Sequence, residues 1–245
     1  MNRQFPHLHL RAFPTRLTAL GTAILLAACG GGSPAPGTAE QQPSRDSVPV
    51  KTATLGECFK WTPGTKYSMS DGSKQLIVQE AFEGQTVTGW MELRANDTRF
   101  GGAYVAVDNT YVRLLGGVDY DDKGVLSSKE VFSADARFPV DMAAGQTVRL
   151  SYVETKTDLR PAPATTTTTI TGQITFVGVE ALTLGGRTFT DVCKIRVESS
   201  EGGTTFRSMV WVAKGFGNIR TEQLDAQGAA VPGTREELTA IISAP

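Results

Sequence analysis

Beyond Lys51 the chain is cut into short runs rich in Val, Ile, Thr, Phe and Tyr by Gly, Asp and Asn, and almost no stretch keeps helical spacing. Helix is therefore nearly absent, and an antiparallel meander is the expected product. Lys74–Phe82, Gln85–Leu93, Ala103–Val107 and Thr110–Leu115 read as strands in the first half, with turns at Glu83-Gly84, Asn96-Asp97 and Asp108-Asn109. Gln146–Lys156, Thr168–Glu180, Asp191–Glu198, Thr204–Val212 and Ile219–Leu224 read as strands in the second, with turns at Glu201-Gly202-Gly203 and Ala226-Gln227-Gly228. Pro161 and Pro163 place Asp158–Ala164 in an exposed loop, while the threonines from Thr165 to Thr169 begin a long strand, since threonine suits pleated backbone. Two glycine turns before a strand, Pro63–Tyr67 and Ala144–Val148, suggest two related halves. So does Tyr111–Gly117 ahead of Asp122-Lys123-Gly124, beside Trp211–Gly217 ahead of Ala226-Gln227-Gly228.

The N-terminus carries a different signal. Arg3, Arg11 and Arg16 precede a short apolar core, Leu17–Ala28, which ends in Leu26-Ala27-Ala28-Cys29-Gly30. This is the pattern of a bacterial lipobox, in which the Cys29 thiol takes a diacylglycerol, cleavage makes it the new N-terminus, and an acyl chain such as palmitate is added. The apolar core is shorter than the roughly 20 residues of a membrane span. Residues 1–28 are thus expected to be a signal peptide and 29–51 a lipidated cysteine with a flexible Gly/Pro/Ser linker. Such a linker would hold the single all-β domain, 52–245, on the order of 25 Å from the lipid. Gly30 stands where an Asp would retain the protein at the inner membrane, so the expectation is an outer-membrane lipoprotein with a periplasmic or surface-exposed domain.

Removal of the signal takes three arginines and no acid, so 24 basic residues fall to 21 against 25 acids, a formal net charge of −4. With no basic block or stripe, nucleic acid is not an expected partner. Both histidines, His7 and His9, leave with the signal, which excludes Ser-His-Asp and Cys-His catalysis and His-ligated zinc from the mature chain. Cys58 and Cys193 remain in an oxidising compartment as a candidate disulfide; two separate half-buried thiols are the alternative.

Asp119, Asp121 and Glu130 approximate a calcium loop, with Gly124 at its sixth position. Lys123 at the fifth puts an ammonium where an oxygen is required, so a solvated hairpin turn is the simpler reading. No G-x-S-x-G, S-x-x-K, P-loop or C-x-x-C occurs. No cofactor is expected.

Residues 138–225 resemble a family of uncharacterised exported proteins of Gram-negative bacteria, many of them lipoproteins. The resemblance rests on Phe138-Pro139-Val140 with Ala144-Gly145-Gln146-Thr147, on Val177–Glu180, on Gly185–Asp191 and on Trp211–Arg220. Phe216 stands in place of the usual aliphatic residue and Lys214 in place of a frequent proline. It implies a strongly curved antiparallel sheet, similar to the unclosed or half barrels of lipoprotein carriers, and no established activity. Gly215 and Gly217 would permit a bend between strands, and Trp211 reads as a core anchor.

Three functions compete. A non-catalytic envelope protein would bind a lipid, a glycan or a partner protein on a concave face lined by Phe82, Trp90, Met91, Phe176, Met209 and Trp211. A hydrolase of envelope glycans would need two carboxylates about 5 to 9.5 Å apart in a cleft. A structural surface lipoprotein would have neither hollow nor cleft. The first is favoured, and enzyme activity is not expected.

Overall fold

The computed structural model describes residues 53–160 and 162–245. The signal peptide, Cys29, the linker and Pro161 lie outside the described residues.

After a single helical turn, α1 (Leu55–Cys58), the first half supplies β1 (Lys66–Met69), β2 (Lys74–Phe82), β3 (Gln85–Leu93), β4 (Arg99–Val107), β5 (Tyr111–Tyr120), β6 (Leu126–Phe132) and β7 (Arg137–Pro139). The second supplies β8 (Thr147–Asp158), β9 (Ala164–Leu184), β10 (Arg187–Glu201), β11 (Thr204–Ala213), β12 (Gly217–Gln223) and β13 (Glu236–Ser243). Neighbours in sequence are neighbours in the sheet, except that β8 pairs with β6 and the short β7 extends the same edge of β5. β1 then pairs antiparallel with β13, from Lys66↔Ser243 to Met69↔Leu238, and twelve strands form a closed ring. The expected unclosed or half barrel is thereby corrected. The closing strands are a four-residue KYSM and an EELTAIIS with polar ends, too weakly patterned to stand out in the sequence.

Six strands, β1–β6, precede six more, β8–β13, and the turn between the fifth and sixth is built the same way in each set. Asp121 Oδ1 accepts from the backbone N–H groups of Lys123 and Val125, and Asp225 Oδ1 from those of Gln227 and Ala229. The glycine turns before β1 and β8 are also equivalent in this frame. Tyr111–Gly117 and Trp211–Gly217 are not, because they fall on the fifth and fourth strands of their sets.

One apolar cluster draws on β2–β5, β7–β11 and the segment from Leu55 to Trp61; side chains from so much of the ring can meet only inside it. About eight strands close a barrel that its own wall can fill. Twelve enclose more, and here Leu55, Cys58, Phe59 and Trp61 enter to complete the packing. Opposite faces of the same strands carry two further clusters, one around Phe82, Met91, Tyr104 and Val118 and one around Phe189, Met209, Trp211 and Phe216. Strand alternation sorts them: Trp90 belongs to the interior and Met91 to the other face. Bulky side chains lie flat there over glycines, Tyr104 over Gly89 and Met91 over Gly102, where a Cβ would stand 2.9 and 2.3 Å from them.

Candidate functional site

The segment entering the barrel is fixed at several points. Thr54 caps α1, accepting from Glu57 N at 3.4 Å, and Cys58 is disulfide-bonded to Cys193 on β10 with Cα atoms 6.1 Å apart. Gly56 N donates to Val140 O at 2.9 Å, and any Cβ on Gly56 would stand 2.6 Å from Val140 Cβ, so only glycine allows this approach. Farther on, Thr62 N donates to Gly215 O and Gly215 N to Lys60 O, at 3.1 and 2.9 Å. Lys60 and Lys214 bind Glu57; the hydrogen bond from Lys60 first, then that from Lys214, holds the Glu57 carboxyl down to about 2.

Between this segment and the wall lies a cleft of about 370 Å³. Phe59, Lys60 and Trp61 form one side, and residues 86–88 of β3 with 105–107 of β4 form the other. Six of its nine lining residues are apolar, but the surface they leave exposed is more polar than apolar. Lys60 is exposed, and Trp61 Nε1 is a buried donor with no hydrogen-bond partner. The volume falls within the range of small-ligand sites.

The six expected ligand-face residues do not share a hollow. Trp90 and Phe176 face the interior cluster, Phe82 and Met91 the cluster behind β2–β6, and Met209 and Trp211 the cluster behind β9–β13. All six are buried, and adjacent residues such as Trp90 and Met91 cannot line one face of a strand. Trp211 is an anchor: its Nε1 donates to Glu180 Oε1, and Lys194 and Arg220 lie 5.1 and 5.4 Å from its ring centroid.

The three residues of the calcium-loop candidate, set aside in the sequence for a hairpin turn, are also divided. Asp119 and Glu130 converge, but on an ammonium: Lys156 Nζ is 2.5 Å from Glu130 Oε1 and 3.3 Å from Asp119 Oδ2, while Ser128 Oγ donates to Asp119 Oδ2. Asp121 caps its own turn, and hydrogen bonds led by the Val125 N–H hold its carboxyl low. Among the described residues no group of three or more His, Cys, Asp or Glu could hold a metal ion.

Farther along β3 the interior face is polar as well. Gln75 and Glu92 are cross-strand partners on the face that carries Ile77 and Trp90, and they are 4% and 3% exposed. Gln75 Oε1 and Glu92 Oε2 are buried without hydrogen-bond partners. Burial first, then the charges of Asp71 and Glu236, pushes the Glu92 carboxyl well above the usual carboxylate range, with Arg94 opposing. Burial and then Asp71 push Glu236 up to about 7. Sequence reasoning missed Phe59, Trp61, Gln75 and Glu92. The parity of Gln75 with Ile77 and of Glu92 with Trp90 was the available signal for the last two.

No family model matches the chain, and no curated protein matches it. Solved structures with some likeness include a protein of Parabacteroides distasonis ATCC 8503 described as a lipoprotein, at 15% identity and a TM-score of 0.45, covering 78% of this chain and 100% of that one. Another is the hypothetical lipoprotein YmcC of Escherichia coli K12, at 16% identity and a TM-score of 0.38, covering 74% of this chain and 87% of that one. Likeness at this level establishes neither a family nor an activity, so the resemblance of residues 138–225 rests on their motifs alone.

Proposed function

We propose that this chain is a lipoprotein of the cell envelope, anchored in the outer membrane through Cys29, whose barrel binds an amphiphilic ligand without chemical turnover. The observation that carries the binding role is the cleft of about 370 Å³ between Phe59, Trp61 and the β3–β4 wall. Phe59, Val105 and Val107 suit contact with an acyl chain or comparable hydrocarbon, beside the more polar surface of the cleft. At the rim, exposed Lys60 suits the acceptor oxygens of an anionic head group, and the buried Trp61 indole N–H is an unused donor beneath it. The lipobox supplies the anchor, and Gly30 after the cysteine favours the outer membrane.

Two measurements test this reading. Cys29→Ser should abolish labelling by radioactive palmitate and release the product from membranes; a variant still processed and membrane-bound in the same form would overturn the anchor. Brominated fatty acids quench tryptophan on contact, so titration of the mature protein should quench Trp61 fluorescence saturably. Val107→Trp would fill the cleft with indole and should weaken binding of a fluorescent fatty acid at least tenfold; unchanged binding would remove the cleft from the account. Native mass spectrometry of protein taken from its own envelope should show a co-purifying lipid.

A further inference from the structure

We propose that Gln75 and Glu92 of the barrel interior, with Asp71 and Glu236 on the approach to them, form a second binding site that takes an aliphatic ammonium group of the kind carried by polyamines and amino sugars. The site goes beyond the proposed lipid cleft and does not depend on it. It lies four to six residues farther along β3 than the cleft's Thr86–Thr88, roughly 14–20 Å at strand rise.

Two unpartnered acceptors carry the inference. Buried polar atoms are nearly always hydrogen-bonded, so each that is not calls for a partner. Gln75 Oε1 and Glu92 Oε2 are adjacent across β2 and β3 and both lack a donor. Carboxylates crowd Glu92, with Arg94 the opposing charge. Asp71 is exposed on the β1–β2 turn, Glu236 is half-buried at the start of β13, and Glu92 is buried, a graded path from solvent inward. Ser70 ties that turn to β13, donating through its N–H to Glu237 O at 2.9 Å and accepting from Glu237 N through Oγ at 3.1 Å.

Neighbouring cations are committed elsewhere. Lys66 and Lys74 both bind Asp97, Arg94 donates to Arg99 O and meets Asp122, Arg220 binds Glu237, and Arg235 binds Glu222. What is missing from the site is positive charge with several N–H donors. A divalent metal demands oxygen ligands converged at about 2.0–2.6 Å, whereas an ammonium accepts N···O distances of about 2.7–2.9 Å and a looser cage. The described acids do not converge closely enough for a metal. Tyr67, the other cross-strand partner of Gln75, spends its hydroxyl on the carbonyls of Phe216 and Asn218, at 3.0 and 2.8 Å.

Calorimetric titration of the full mature protein with spermidine and, separately, glucosamine tests the site. Saturable binding is expected at pH 8 for one of them, and the tighter of the two identifies the source. It should weaken at least tenfold at pH 5, where Glu92 and Glu236 hold protons. Glu92→Gln and Gln75→Met should each weaken it at least tenfold at pH 8, and the exposed Asp71→Asn, which leaves the core untouched, about threefold. Circular dichroism melts establish that each variant is folded. No saturable binding of either probe would overturn the proposal, because the Glu92 hydroxyl would then already serve Gln75 Oε1. Binding that survives both Glu92→Gln and Gln75→Met would overturn it too, as attraction to surface charge alone.

Discussion

Gly116 shows how much of the barrel's shape hangs on single positions. It adopts φ +141°, and a Cβ there would stand 2.0 Å from the Glu130 carbonyl oxygen of the neighbouring strand. The register of β4 and β5 slips at this point, with Tyr104 opposite Gly116 and Val105 opposite Leu114. Backbone cannot yield as the end of a methionine can, so Gly116→Ala should cost about 3 kcal/mol or more in urea denaturation. Gly202, at φ +55° in an open turn with nothing within 4 Å, should lose only about 1–2 kcal/mol as alanine. Equal losses at the two positions would show that the close contact at Gly116 contributes nothing. The glycine is plain in the sequence, whereas its partner on β6 is not, since a contact between strands is a property of register. The same limit explains the scattered ligand-face set: Phe82, Trp90 and Met91 are all large and apolar, but strand alternation separates Trp90 from Met91.

At the scale of elements, β2 and β3 were legible to the residue, because alternation and a Glu83-Gly84 turn with both residues at positive φ mark them. β6 was not. Its inward residues, Ser128 and Glu130, are polar and meet Asp119 and Lys156, so the usual signature of apolar-in and polar-out is reversed there. The stretch from Asp119 to Glu130 therefore resembled a metal loop when it is a hairpin with its own polar interior. α1 was equally hidden, a single turn held by its cap and by the disulfide rather than by periodicity. Cys58 and Cys193 are 135 residues apart, and a loop of that length gives the crosslink about 5 kcal/mol in the chain-entropy account. Cys58→Ser should approach that loss in urea unfolding. It should also weaken fatty-acid binding, because Phe59 and Trp61 follow directly on the tether. A variant with unaltered affinity would mean that the hydrogen bonds of Lys60 and Thr62 to Gly215 place the cleft wall by themselves.

For the whole molecule, a twelve-strand ring with a partly polar interior ties stability to pH in two opposite ways. On the acid side, Glu57 is held down to about 2 by Lys60 and Lys214, so its contribution is complete above about 4.5 and is lost as pH falls from there toward 2. On the alkaline side, Glu92 and Glu236 keep protons in the folded state that the unfolded chain releases above about 4.5. Between 4.5 and about 7 the folded state binds more protons than the unfolded one, so stability must fall as pH rises through that window. The urea midpoint of the barrel should therefore peak near pH 5 and decline toward pH 8. Glu92→Gln removes the buried titration at almost constant volume, and with Glu236→Gln it should flatten the alkaline arm while leaving the acid arm in place. An alkaline arm of unchanged slope in the double variant would mean that these two carboxyls do not govern it. Flattening in that variant alone would assign the decline to the interior end of the ring where β2, β3 and β13 bring these acids together. There the ring's closure by β1 and β13, the feature least visible in the sequence, would be what makes the protein sensitive to neutral pH.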